Sequence, residues 1–184
     1  MKPTLTAIVS ASLLAAAATF PSHAATSTFI ASLSSAGEPI PTGLMPSKAT
    51  GFATVTFDDV MNNVSVQLSF AGLANSAPFG HIHCCTAAAG TGGSGVALNF
   101  SDFPKPSTGM YSATLSTFVG QGTTFGSLLE GVKGGRAHVN IHTPDAYQSG
   151  EIRGFLAPIP EPETYALMLA GLGAVAWASR RRSV

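Results

Sequence analysis

A chain of 184 residues has room for one domain plus processing segments, and its 45% hydrophobic fraction is raised by alanine-rich runs at both ends. Nine basic and nine acidic side chains leave no net charge, and the absence of a basic footprint excludes a nucleic-acid-binding protein. The body between the end segments, Ala25 to Pro160, is about 136 residues long, carries five basic against seven acidic groups, and is large enough to bury a core.

At the start of the chain Lys2 supplies a positive charge, Leu5 to Phe20 an uncharged apolar run, and Ser22-His23-Ala24 a small-x-small site. That order predicts a secretory signal peptide over residues 1–24, so the Sec translocase and signal peptidase are the expected first partners. Thr6, Ser10 and Ser12 interrupt the run and Pro21 follows it, which argues against a spanning helix at this end.

In the body, Phe29, Ala31 and Leu33 alternate with small or polar neighbours over Thr28–Leu33, predicting a strand that Glu38-Pro39 and Pro41 bring to an end. Gly51–Phe57 and Val64–Phe70 alternate in the same way, and Asp58-Asp59 with Asn62-Asn63 make their connection a hairpin turn. Phe79–His83 reads as a fourth strand, Thr86–Gly95 as a loop of small residues, and Val96–Phe100 and Met110–Leu115 as two more strands. Then the period changes. Thr124, Phe125, Leu128, Leu129 and Val132 recur at helical spacing, with Gly134-Gly135 closing one short helix.

From Arg136 to His142 strict alternation returns: Ala137, Val139 and Ile141 point one way, His138, Asn140 and His142 the other. The spacing predicts a half-buried strand with a histidine-lined outer face. Turn residues Pro144, Asp145, Ser149 and Gly150 precede a last strand, Glu151–Leu156. About eight short strands and one helix argue an all-β sandwich or Greek-key barrel.

Read in order, Glu38-Pro39, the Gly51 strand, Leu73, His81-Ile82-His83, Gly95-Val96, Val139-Asn140-Ile141-His142-Thr143 and Gly150-Glu151-Ile152-Arg153-Gly154 resemble the CHRD domain, first defined in chordin. The resemblance covers nearly the whole body, placed at residues 25–158. It implies an immunoglobulin-like or superoxide-dismutase-like β-sandwich and no agreed activity. The chain departs from that pattern at Cys84 and Cys85, where a small residue is usual after HxH, and at His138, where an aromatic or aliphatic residue is usual.

The closing segment, residues 159–184, contains PEPETYALMLAGLGAVAWASRRR and resembles a PEP-CTERM sorting signal. The resemblance implies a Gram-negative, exopolysaccharide-producing host and an exosortase that reads Pro160, Glu161 and Pro162. It also implies transient or permanent anchoring in the inner membrane, then delivery to the envelope or extracellular polysaccharide. The 16 uncharged residues Thr164–Ser179 would form a helix of only ~24 Å against a hydrocarbon core of roughly 30 Å. Arg180, Arg181 and Arg182 would stay cytoplasmic.

The candidate chemistry is carried by histidine and cysteine. His81 and His83 share one strand face, as do His138 and His142, so adjacent strands would gather three or four imidazoles, the donor set that copper or zinc prefers. The arrangement resembles the copper site of copper/zinc superoxide dismutase, without that enzyme's bridging histidine or zinc-loop aspartate. The plainer alternative is a polar sheet face in which the histidines bond to Asn140, Arg153 or Glu151. Metal affinity is expected to fall as pH drops through roughly 6.5, where protons compete. Cys84 and Cys85 could form a vicinal disulfide, pair with another chain, or remain thiolate ligands.

No nucleophile motif or phosphate loop is present in the sequence. Glu151 and Arg153 suggest a structural ion pair. Phe103, Tyr111 and Tyr147, if exposed, could stack on sugars. The expectation is a non-enzymatic exported protein, with a metal-binding or dismutase-like redox protein as the alternative.

Overall fold

The structure, a computed structural model, describes residues 26–40, 42–120, 122–144, 147–159 and 162–182. The expected signal peptide over residues 1–24 and its expected cleavage site, together with Pro160 and Glu161, lie outside the described residues.

Among the described residues, nine antiparallel strands form two sheets. The first has the order β6 (Gly109–Leu115), β3 (Asn63–Ala71), β2 (Thr50–Asp58), β1 (Thr26–Leu33), β9 (Ala157–Pro158). The second has the order β5 (Val96–Asn99), β4 (Phe79–Cys84), β7 (Ala137–His142), β8 (Ile152–Phe155). The expected β-sandwich is therefore the fold. β2 and β3 meet where the sequence turns: Asp58 Oδ1 accepts from the amides of Val60 (3.0 Å) and Met61 (2.9 Å), and Asn62 takes a left-handed φ of 50°.

Alternation decides what is buried. Ala53, Val55, Phe57, Val64, Val66 and Leu68 from the first sheet face Ile82, Leu98, Val139, Ile141 and Ile152 from the second within one core. The sheets approach so closely at Gly154 that a Cβ there would collide with the Ser32 backbone, which is why that strand position holds glycine. The helix α1 (Phe125–Lys133) closes one end, capped by Thr124 and Ser127, and buries Leu128 and Val132.

Several expectations are corrected. Phe103, Tyr111 and Tyr147 are buried, so they offer no sugar-stacking face. Phe103 stacks on Phe70 and Tyr111 on Phe100, while the Tyr147 hydroxyl donates to Met45 O at 2.6 Å. Glu151 does not pair with Arg153. It precedes β8, is fully buried, and accepts from Ser47 Oγ (2.5 Å), Thr143 Oγ1 (2.6 Å) and Ala74 N (2.8 Å). The two-residue β9 has no sequence pattern of its own; Pro158, lacking an N–H, sits in a sheet-edge strand where that donor is dispensable.

α2 runs from Pro162 to Arg182, 21 residues. Among the described residues, no helix is long and apolar enough to cross a membrane.

Candidate metal centre

The register of β4 on β7 sets the site. Phe79 pairs with His142, His81 with Asn140, and His83 with His138. β5 and β8 extend the rows, with Asn99 beside His81, and Arg153 and Phe155 beside Asn140 and His138. One face of a four-stranded sheet thus carries four imidazoles, two amides and a guanidinium. Ile82, Val139 and Ile141, alternate in sequence, hold the opposite face in the core.

This polar face is not an outer face in the expected sense. His138 and Asn140 are each 2% exposed, and His81, His83 and His142 are half-buried. Backbone from three loops covers it. Arg153 Nη1 donates to Gly92 O (3.0 Å) and Nη2 to Gly37 O, while Ser94 O and Gln148 O lie against the imidazoles. Burial without full pairing is the result. Of seven buried side-chain polar atoms without a partner among the described residues, six belong here: Glu38 Oε1, His81 Nδ1, Ser94 Oγ, His138 Nδ1, Asn140 Oδ1 and Arg153 Nε. Unsatisfied buried polar atoms are costly, so their concentration at one place marks a site and not ordinary surface.

His81, His83 and His142 each bring a ring nitrogen to within 4.8 Å of the others. The tautomers of two are fixed by their neighbours. His83 Nδ1 contacts Ser94 O at 2.9 Å and His142 Nδ1 contacts Gln148 O at 2.8 Å. A carbonyl can only accept, so each Nδ1 carries the hydrogen and each Nε2 presents a bare lone pair in the neutral ring. The two Nε2 atoms stand 3.4 Å apart, facing each other with no hydrogen between them. Burial holds both pKa values below the ordinary imidazole value, so a proton is disfavoured as the bridge. A cation resolves the conflict: two nitrogens each about 2.05 Å from a tetrahedral zinc lie about 3.3 Å apart. An Nδ1–H donated to a backbone carbonyl is the usual second partner of a metal-bound histidine.

His81 is pushed down to about 4, first by burial and then by the charges His142 and His83 would carry. His138 is pushed down to about 3, first by burial. His138 stands apart from the trio, its ring stacked on His83 at 5.1 Å and 5°. Of the four imidazoles singled out by sequence, three converge and the fourth supports one of them. Burial alters the pH expectation as well: all four imidazoles are held below 6.5, so proton competition begins below that value.

Cys84 and Cys85 are joined to each other in a disulfide. Cys84 alternates away from His83, and both sulfurs sit against Gly131 of α1, where a Cβ would overlap them. They are bridged on the helix side and do not join the imidazoles. Glu38, unremarked as a site residue in the sequence, lies against this face, its carboxyl pushed up to about 7 by burial despite the opposing pull of Arg153. Ser94 and Gln148 act through backbone carbonyls, which no side-chain pattern announces.

No curated protein and no solved structure matches the chain. Residues 29–156 match the CHRD domain family, and residues 158–182 match the PEP-CTERM protein-sorting motif, which implies an exosortase as processing partner and export to the cell envelope or extracellular space. The chain therefore belongs to the CHRD domain family and carries a PEP-CTERM sorting motif behind that domain.

Proposed function

We propose that this is an exported, non-catalytic envelope protein whose CHRD sandwich binds a divalent transition metal, zinc or copper, through His81, His83 and His142. The observation that carries the reading is the pair of Nε2 atoms facing each other at 3.4 Å, with both Nδ1 positions committed to carbonyls. Three neutral imidazoles form a set suited to either metal and leave a coordination position for water or another ligand. The sorting motif supports the place of action: the envelope or extracellular polysaccharide of a Gram-negative bacterium, reached after anchoring in the inner membrane and exosortase processing. Dismutase-like redox chemistry is the alternative use of the same imidazoles, and removal of superoxide by copper-loaded protein would establish it.

Titration of zinc and copper(II) into the full chain, alongside His83→Ala and His142→Ala, tests the proposal. The parent should bind one equivalent and each variant should lose an order of magnitude or more in affinity. Equal, weak binding by all three would return the histidines to the role of a polar sheet face.

A further inference from the structure

Arg153 occupies the next register position after Asn140 on the imidazole face. Its backbone exchanges two hydrogen bonds with Ser34, at 3.1 and 3.0 Å, which fixes the root of the side chain at the end of β1. From there the guanidinium reaches two carbonyls in two separate segments: Gly92 O in the loop after β4 and Gly37 O in the 3-10 turn Ser35–Gly37. A Cβ on residue 37 would stand 3.1 Å from Arg153 Nε, so glycine leaves the space that the guanidinium fills.

The loop it holds is tied by backbone hydrogen bonds and has few side-chain anchors; beyond Ser94, Gly95 O accepts from the Cys84 amide at 3.1 Å. Residues 87–93 are all exposed and consist of Ala, Gly and Thr, so no apolar side chain anchors them, and such a run has large conformational entropy when released. Its first part is tied by backbone bonds, Thr86 N to Arg136 O and Gly90 N to Gly135 O. Gly92 O is tied by Arg153. Two residues further on, Ser94 O receives the hydrogen of His83 Nδ1 at 2.9 Å. That carbonyl decides which nitrogen of His83 is bare, and it lies between two fixed points, Gly92 O on Arg153 and Gly95 O on the Cys84 amide.

We infer that Arg153 is a positioning residue for the metal site: its two-carbonyl clamp holds the Gly92 end of the segment whose other end the Cys84 amide holds, so that Ser94 O fixes His83 with Nε2 free for the metal. The inference rests on the metal-binding reading for its purpose, but the tautomer of His83 does not depend on that reading. A fork of donors is needed to hold two carbonyls at once. Lysine would preserve the charge and lose the fork. The direct partner of a metal-bound histidine, here Ser94 O, is worth roughly 10- to 100-fold in metal affinity, and the clamp acts through that partner.

The test has two independent readouts on the full chain and on Arg153→Lys, Arg153→Met and Gly37→Val, the last crowding the guanidinium from the other side. Nitrogen-15 NMR of the imidazoles without metal reports the tautomer. The parent should show His83 as the Nδ1–H form, and all three variants should show a mixture or the Nε2–H form, with the β-sheet amide pattern retained. Zinc titration should then give about a tenfold or greater loss for each variant, lysine included. A His83 tautomer unchanged in Arg153→Met and Arg153→Lys would overturn the positioning role whatever the metal result. Parent protein that shows the Nδ1–H form and binds no zinc would instead overturn the metal reading and leave the clamp standing. Full rescue by Arg153→Lys in both readouts would show that charge, and not the clamp, is what matters, and would also overturn the inference.

Discussion

The polar faces of the two sheets obey the same alternation and end in opposite states. On the five-stranded sheet, Thr54 pairs with Gln67 and Thr56 with Ser65 across β2 and β3, and these side chains range from half-buried to exposed. On the four-stranded sheet, five of the six positions of β7 are buried, although its sequence alternates as cleanly. Alternation tells which residues share a face, not whether that face meets water. A polar face that is covered yet carries unpaired nitrogens and oxygens costs stability, and proteins hold such features where function needs them.

Breaking the shared core should have the largest effect. Val139→Asp or Ile141→Asp places an unpaired charge at a fully buried position, at more than about 4 kcal/mol, comparable to the whole stability of a small domain. Neither variant should give a cooperative thermal transition; a parent-like melting curve for either would refute the face assignment.

Next comes Glu151, buried behind the strand that carries Arg153. Removing its carboxylate in Glu151→Ala strands the Ser47 and Thr143 hydroxyls and the Ala74 amide, and should cost about 3 kcal/mol in denaturant unfolding. A loss under about 1 kcal/mol would mean that these groups find other partners.

Acid separates the two faces more gently. His81 stays neutral down to about pH 4 and His138 to about 3, and His83 and His142 are also lowered, while in the unfolded chain all four take protons near 6.5. The unfolded state therefore binds more protons below that value. Stability should be fully present above pH 6.5 and fall as pH drops towards 4. Glu38 works against this: its carboxyl, raised to about 7, stays protonated in the fold where the unfolded chain has released its proton, so its contribution is lost as pH rises from 4.5 to 7. Four imidazoles outweigh one carboxyl, so the melting temperature of the metal-free protein should decline from pH 6.5 to 4.5. A flat or rising profile would contradict the burial of the histidine face.

The smallest effect belongs to the open face. Gln67→Ala, an exposed position, should change stability by less than about 0.5 kcal/mol. A larger loss would show that this face is also covered.

Much of the fold was legible because side-chain period carries it. Alternation points Val139 and Ile141 to the core, Asp58-Asp59 with Asn62-Asn63 read as a turn, and the helical spacing of Thr124, Phe125, Leu128, Leu129 and Val132 reads as a helix, each from local chemistry. The convergence of His81, His83 and His142 followed from spacing plus one assumption, that β4 and β7 are neighbours. What covers them did not follow. The Thr86–Gly95 loop is made of residues that announce flexibility and no destination, and the groups that fix the two tautomers are backbone carbonyls, which every residue has. The clamp by Arg153 was hidden for a related reason: a nearby Glu151 offered an obvious ion pair, whereas the real partners are the Gly37 and Gly92 carbonyls.

If His81, His83 and His142 share one metal ion, the X-ray absorption spectrum of the zinc-loaded full chain must show it. The predicted result is a first shell of nitrogen or oxygen atoms at about 2.0–2.1 Å, with outer-shell scattering that fits three imidazole rings in the parent and two in His142→Ala. A spectrum without imidazole scattering, or one unchanged by His142→Ala, would rule out a metal ion shared by these histidines.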